Sequence, residues 1–155
     1  MTQSARFQLK EISAEQSFPL RHKILRPEQT LSDCCYEGDF EPTTVHIGAF
    51  LNSQLIGICS IYTASNLSLP TSNTCQLRAM ATDESARGKG VGVQLLSAAE
   101  THAKRQGHSG LWANARQAAL GFYQNLGYGV VGDEFDIAGV GRHTLVVKHF
   151  ANASR

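Results

Sequence analysis

Residues 77–128 read LRAMATDESARGKGVGVQLLSAAETHAKRQGHSGLWANARQAALGFYQNLGY. A short apolar strand leads through Arg87, Gly88, Lys89, Gly90, Val91 and Gly92 into a helical run, and the stretch closes on Asn114, Ala115, Arg116 and then Gly121, Phe122, Tyr123. Glycines where a helix begins let the backbone come close to an anion, while first-turn amides and the helix dipole favour negative charge there. Arg87 and Lys89 add charge in the same turn, so the pattern points to a diphosphate. A dinucleotide-binding turn needs GxGxxG, and a phosphate loop of the NTPase kind needs GxxxxGK before Ser or Thr. Neither spacing occurs here.

Working outward, Val91, Leu95, Ala98 and His102 recur at helical spacing, with Leu96, Ala99 and Ala103 widening the stripe until Gly107 supplies a stop. Gly110 to Ala113 reads as a short strand, Gln117 to Leu126 as a helix ended by Gly127, and the remainder as two strands joined around Gly139 to Gly141. On the N-terminal side, Phe7 to Ile12 is a predicted strand, followed by a helix with Ser13 and Gln16 as capping box that ends near Arg26 and Pro27. The polar segment Glu28 to Thr44 reads as loop. Val45 to Phe50 and Leu55 to Tyr62 flank an Asn52, Ser53 turn and form a predicted hairpin. Ser65 to Thr74 is a second loop before the strand Cys75 to Thr82. This order implies an α/β or α+β fold with a mixed, mostly antiparallel sheet, and no internal repeats.

With 155 residues, the chain is long enough for one domain burying roughly 70% of the surface its unfolded form exposes. Acidic and basic residues are interleaved at a formal charge of +1, which favours neither nucleic acid nor a membrane surface as partner. No apolar run is long enough to span a bilayer, and the polar start Met1 to Lys10 has no signal-peptide core. A cytoplasmic monomer or homodimer is expected. Cys34, Cys35, Cys59 and Cys75 form no CxxC pair and no histidine stands at ligand spacing, so reduced thiols and no metal are expected.

Alternation in the strand from Cys75 places Leu77, Ala79 and Ala81 on one side and Gln76, Arg78, Met80 and Thr82 on the other. A guanidinium in a central strand is costly without a partner, so Arg78 should meet either an internal carboxylate or a bound anion. RxxGxG followed by AxxFYxxLGY resembles the acetyl-CoA motif and following helix of the GNAT acetyltransferase superfamily. That resemblance implies the GNAT fold, acetyl-CoA as co-substrate, and a cofactor site of Met80, Ala81, Thr82, Arg87, Gly88, Lys89, Gly90, Val91, Gly92, Asn114 and Phe122. It also makes Tyr123 a candidate acid for the departing sulfur, the alternative being a packing aromatic.

A narrower likeness covers nearly the whole chain. LRHKILRP at Leu20, HIGAF at His46, LRAMAT at Leu77, LWANAR at Leu111, GFYQNLGY at Gly121, GDEFDI at Gly132 and VGRH at Val140 resemble the blocks of glyphosate N-acetyltransferase and its bacterial relatives. The likeness implies an acid-binding set of Arg26, Arg78 and Arg116 and a catalytic base at His143. The chemistry is coherent: guanidiniums recognise carboxylate and phosphonate by charge and planar geometry, and histidine accepts a proton near neutral pH. Arg142, Ala79 and Ala113 depart from the proline, glycine and cysteine that such relatives usually carry. Arg142 beside His143 introduces a new cation at that point.

The leading reading is direct transfer of acetyl from acetyl-CoA to the amine of a small acidic metabolite. A second is acetylation of a protein N-terminus or lysine, which a cluster of arginines disfavours. A third, from another class, is a non-catalytic acyl-CoA sensor that keeps the phosphate cradle alone.

Overall fold

The computed structural model describes residues 7–150. Of the leaderless start expected over Met1 to Lys10, the first six residues lie outside that range. The described residues form two compact units, one of residues 7–62 with 79–99 and one of 63–78 with 100–150.

In the first unit, β1 (Gln8–Ile12) runs into α1 (Ala14–Leu20) through the Ser13 capping box, with both the Ser13 and Gln16 side chains bonded to backbone amides. The helix does not run on unchanged to Arg26. Pro19 stands inside it without an amide hydrogen to donate, and Arg21–Leu25 continue as a wider π turn closed by Arg26 N donating to Arg21 O at 3.0 Å. The supposed loop after it holds a 3-10 turn, Leu31–Cys34, with its own capping box from Thr30 and Asp33. β2 (Val45–Leu51) and β3 (Gln54–Thr63) form the expected hairpin, and Asn52 and Ser53 take φ of 51° and 69°, as its tight turn demands. β1 pairs antiparallel with β2. Ile12, Leu20, Ile58 and Ala81 form a core cluster, with Leu25, Phe50 and Leu55 packed on it. α2 (Val91–Arg105) begins here and buries Val91, Leu95, Leu96 and Ala99. Gly57 allows its close approach, since a Cβ there would stand 2.7 Å from Val91 Cγ1. Further along the stripe Ala103 is buried, whereas Ala98 and His102 are half-buried.

The second unit is built on the first half of β4 (Thr74–Thr82), β5 (Gly110–Arg116), β7 (Gly141–His149) and β6 (Gly129–Ile137). β5 is longer than its apolar stretch suggested, because pairing with β7 runs the full length from Gly110↔His149 to Arg116↔His143. β4 and β5 are parallel over Thr74–Gln76. β6 pairs with β7 around a bulge between Val131 and Phe135, where Gly132 takes φ of 76°. α3 (Leu120–Asn125) follows a 3-10 turn at Gln117–Ala119. Trp112, Leu145, Val147 and Leu69 form this unit's core cluster, and Trp112 Nε1 donates to Ala64 O at 2.9 Å. Tyr128 Oη donates to Glu100, whose carboxylate also takes Lys148 Nζ at 3.2 Å. Burial and this carboxylate hold the Tyr128 phenol well above its usual range.

The strand order is β1-β2-β3-β4-β5-β7-β6, with β4 and β5 the parallel pair. The fold is therefore mixed α+β, mostly antiparallel, with flanking helices. Among the described residues no helix is long and apolar enough to cross a membrane.

Candidate active site

The glycine turn is anchored before it begins. Asp83 N donates to Ile56 O at 2.8 Å, and its carboxylate accepts from Lys23 Nζ at 2.6 Å and from Ser85. Those bonds, Lys23 foremost, hold the Asp83 carboxyl down at about 2. After the 3-10 turn Glu84–Ala86, Gly88 and Gly90 adopt φ of 76° and 74°, which glycine reaches without a Cβ clash. No atom lies within 4 Å of where a Cβ would stand at either, so the turn opens to solvent. Gln94 N donates to Gly90 O, which leaves the amides of Val91, Gly92 and Val93 in the first turn without an intrahelical acceptor. First-turn amides without an intrahelical acceptor, left-handed glycines, and the exposed Arg87 and Lys89 fit a diphosphate.

Upstream, Ala79 has φ of 56°, a left-handed conformation that costs a non-glycine residue roughly 1–2 kcal/mol. It interrupts the pleat of β4. The simple alternation expected from sequence therefore ends at Arg78: Leu77 and Ala81 are buried, but Ala79 is only half-buried. The next residues, Met80, Ala81 and Thr82, end the strand.

In the second unit, register decides which side chains meet. Arg116↔His143 and Phe135↔His143 are direct cross-strand pairs, so these three residues form a row on one face of β5, β7 and β6. Asn114 and Trp112 share that face through their pairs with Leu145 and Val147. Gln76 pairs with Trp112, and Arg78, two residues further along β4, falls on the same side. Two of the three predicted arginines thus share a face with the predicted base.

His143 is buried, and its ring stacks on Phe135 with centroids 6.1 Å apart. Its Nδ1 lies 2.8 Å from Gly141 O. A carbonyl only accepts, so Nδ1 carries a hydrogen, and in the tautomer this contact selects the lone pair is at Nε2. Arg142, its chain neighbour, projects to the other side of β7, is exposed, and pairs with Glu134 at 3.4 Å. An open cleft of about 480 Å³ on that side is lined by Gln117, Leu120, Glu134, Arg142 and Thr144. Tyr123 is buried in α3 in an aromatic cluster, 5.2 Å from the Phe122 ring centroid and 5.5 Å from that of Tyr128.

Arg26 belongs to the first unit. Its guanidinium stacks on Tyr36 at 4.7 Å and reaches Gln29 only at 3.4 Å, while its Nε is buried without a partner among the described residues. Sequence reading overlooked Arg21. That side chain is 0% exposed, bonds Asp39 through both terminal nitrogens at 2.7 and 3.0 Å, and also donates to Cys34 O and Ser60 Oγ. His46 completes the network, Nε2 donating to Asp39 O at 2.9 Å and Nδ1 accepting from Ser60. Both nitrogens are occupied, which leaves His46 a structural role. Nothing local in LRHKILRP distinguishes Arg21 from its basic neighbours; the signal is Asp39, 18 positions on.

The model of the acetyltransferase (GNAT) family matches residues 8–128. The uncharacterized N-acetyltransferase YitI of Bacillus subtilis (strain 168) is 36% identical over 141 residues, covering 91% of this chain and 95% of YitI. An aminoglycoside 6'-N-acetyltransferase complexed with coenzyme A has a TM-score of 0.75 at 14% identity, covering 96% of this chain and 99% of that one. FeeM, an N-acyl amino acid synthase from uncultured soil microbes, has a TM-score of 0.76 at 14% identity, covering 94% and 92%. The chain belongs to the GNAT family and is an acetyl-CoA-dependent N-acetyltransferase.

Proposed function

We propose that the chain acts as one catalytic domain that acetylates the amine of a small acidic metabolite, amino-acid-like or aminophosphonate. The observation that carries this reading is the row Arg116–His143 on one face of β5 and β7, with Arg78 on the same side of β4. A cation beside a base suits a substrate whose anion is held while its amine is deprotonated.

In this mechanism Arg78 and Arg116, with Arg26, hold the acidic group. The amine nitrogen attacks the thioester carbonyl of the co-substrate, a C–N bond forms, and its proton passes to Nε2 of His143. The C–S bond breaks, and the sulfur takes a proton from Tyr123. Main-chain amides at Met80 to Thr82, just past the irregularity at Ala79, polarise the carbonyl. The amides of Arg87 to Gly92 hold the diphosphate, with Asn114 and Phe122 completing the cofactor site.

A charge-assisted hydrogen bond is worth about 1.5–3 kcal/mol, or roughly 10–150-fold. Arg116→Ala and Arg78→Ala should each raise KM for an acidic amine by that order and leave KM for its neutral amide nearly unchanged. Steady-state kinetics on the matched pair checks this. Equal losses on acid and amide would remove the anion role.

A further inference from the structure

We infer that Tyr36 is a positioning residue for the substrate anion: the buried Arg21–Asp39 pair fixes its ring, and that ring fixes the guanidinium of Arg26. The inference rests on the reading of Arg26 as an acid-binding residue. Arg21 and Arg26 stand five positions apart, and the π turn between them, closed by Arg26 N on Arg21 O, brings both onto one aromatic ring. Their guanidinium carbons lie 4.3 and 4.7 Å from the Tyr36 centroid.

The two arginines are held in different ways. Arg21 spends its terminal nitrogens on Asp39, Cys34 O, Ser60 and Tyr62. It is a fixture, and no substrate can displace that set. Asp39 in turn accepts from Tyr36 N at 2.7 Å, so the ion pair pins the backbone at Cys34 and Tyr36. Among the described residues no carboxylate pairs with Arg26; it donates a long hydrogen bond to Gln29, and its buried Nε has no partner there. A guanidinium oriented by stacking keeps its planar donor edges for a ligand, whereas one oriented by a carboxylate has spent them. Stacking also lowers the ordering cost of binding, since the planar group is already oriented when the anion arrives.

The test measures KM for an acidic amine and for acetyl-CoA in Tyr36→Leu, Tyr36→Phe, Arg26→Lys and Arg26→Ala. Tyr36→Leu, which loses the ring, should raise KM for the acid roughly tenfold with KM for acetyl-CoA unchanged, and Tyr36→Phe should stay near the parent. Arg26→Lys keeps the charge but loses the planar stack, and should match Tyr36→Leu; it also carries the test if the leucine variant does not fold. If Arg26→Ala raises KM but Arg26→Lys stays at parent values, the platform is refuted while Arg26 remains a ligand. If Arg26→Ala changes nothing, the acid-binding role of Arg26 fails, and this inference with it.

Discussion

Replacing His143 by alanine should lower kcat by about 10²–10⁴-fold, the usual range for loss of a positioned general base, while acetyl-CoA binding stays at the parent level. The size of the effect follows from the ring's fixation. Gly141 O takes the Nδ1 hydrogen, Phe135 stacks on the ring, and burial removes competing water, so the Nε2 lone pair is presented in one orientation. The glycine turn proposed to hold the diphosphate lies on other elements, β4 to α2, and does not include this side chain. Imidazole added to the alanine variant should restore part of the rate. Titration of acetyl-CoA beside single-turnover kinetics separates binding from chemistry; an unchanged kcat would remove His143 from the mechanism.

The largest stability effect should come from Asp39→Ala. It leaves Arg21 charged at 0% exposure with no carboxylate, a change that typically costs 3–5 kcal/mol, or roughly 6–20 °C in melting temperature at this chain length. Tyr62 Oη, which donates to the same carboxylate at 2.5 Å, and Tyr36 N lose their acceptor as well. The pair also sets an acid limit. Burial alone would raise the Asp39 pKa, but the bonds from Arg21, Tyr62 and the Tyr36 amide outweigh it and hold the carboxyl below its ordinary value. A carboxyl whose folded pKa is depressed contributes stability that is full above its unfolded value near 3.9 and lost as pH falls through the folded one. Thermal melts of parent and variant from neutral pH downward should therefore converge in strong acid. A constant gap at every pH would show that the charge of Asp39 is not what stabilises.

Local chemistry made much of this fold readable. The Ser13 and Gln16 box, the Asn52 and Ser53 turn and the glycines before α2 each act over a few positions, where sequence spacing and spatial spacing coincide. What escaped depends on distant partners. Arg21 is one basic residue among several in LRHKILRP until Asp39, Ser60 and Tyr62 surround it. The left-handed backbone at Ala79 carries no glycine to announce it, so alternation misplaced that residue. β5 reaches Arg116, past the apolar run that stops at Ala113, because β7 pairs with it to the end. The candidate site divides along the same line. Arg78 stood out by its place in a central strand, and His143 and the acid-binding role of Arg116 came through resemblance, whereas their common face is a consequence of register, and Tyr36 drew no attention at all.

The central claim is transfer to an acidic amine, and thiol release from acetyl-CoA tests it most directly. The purified chain would be given small amines, each acid paired with its neutral amide. Turnover of the acids at kcat/KM at least tenfold above their amides, lost in His143→Ala, is the predicted result. Equal turnover of acids and amides, or turnover that survives in the variant, would contradict the account.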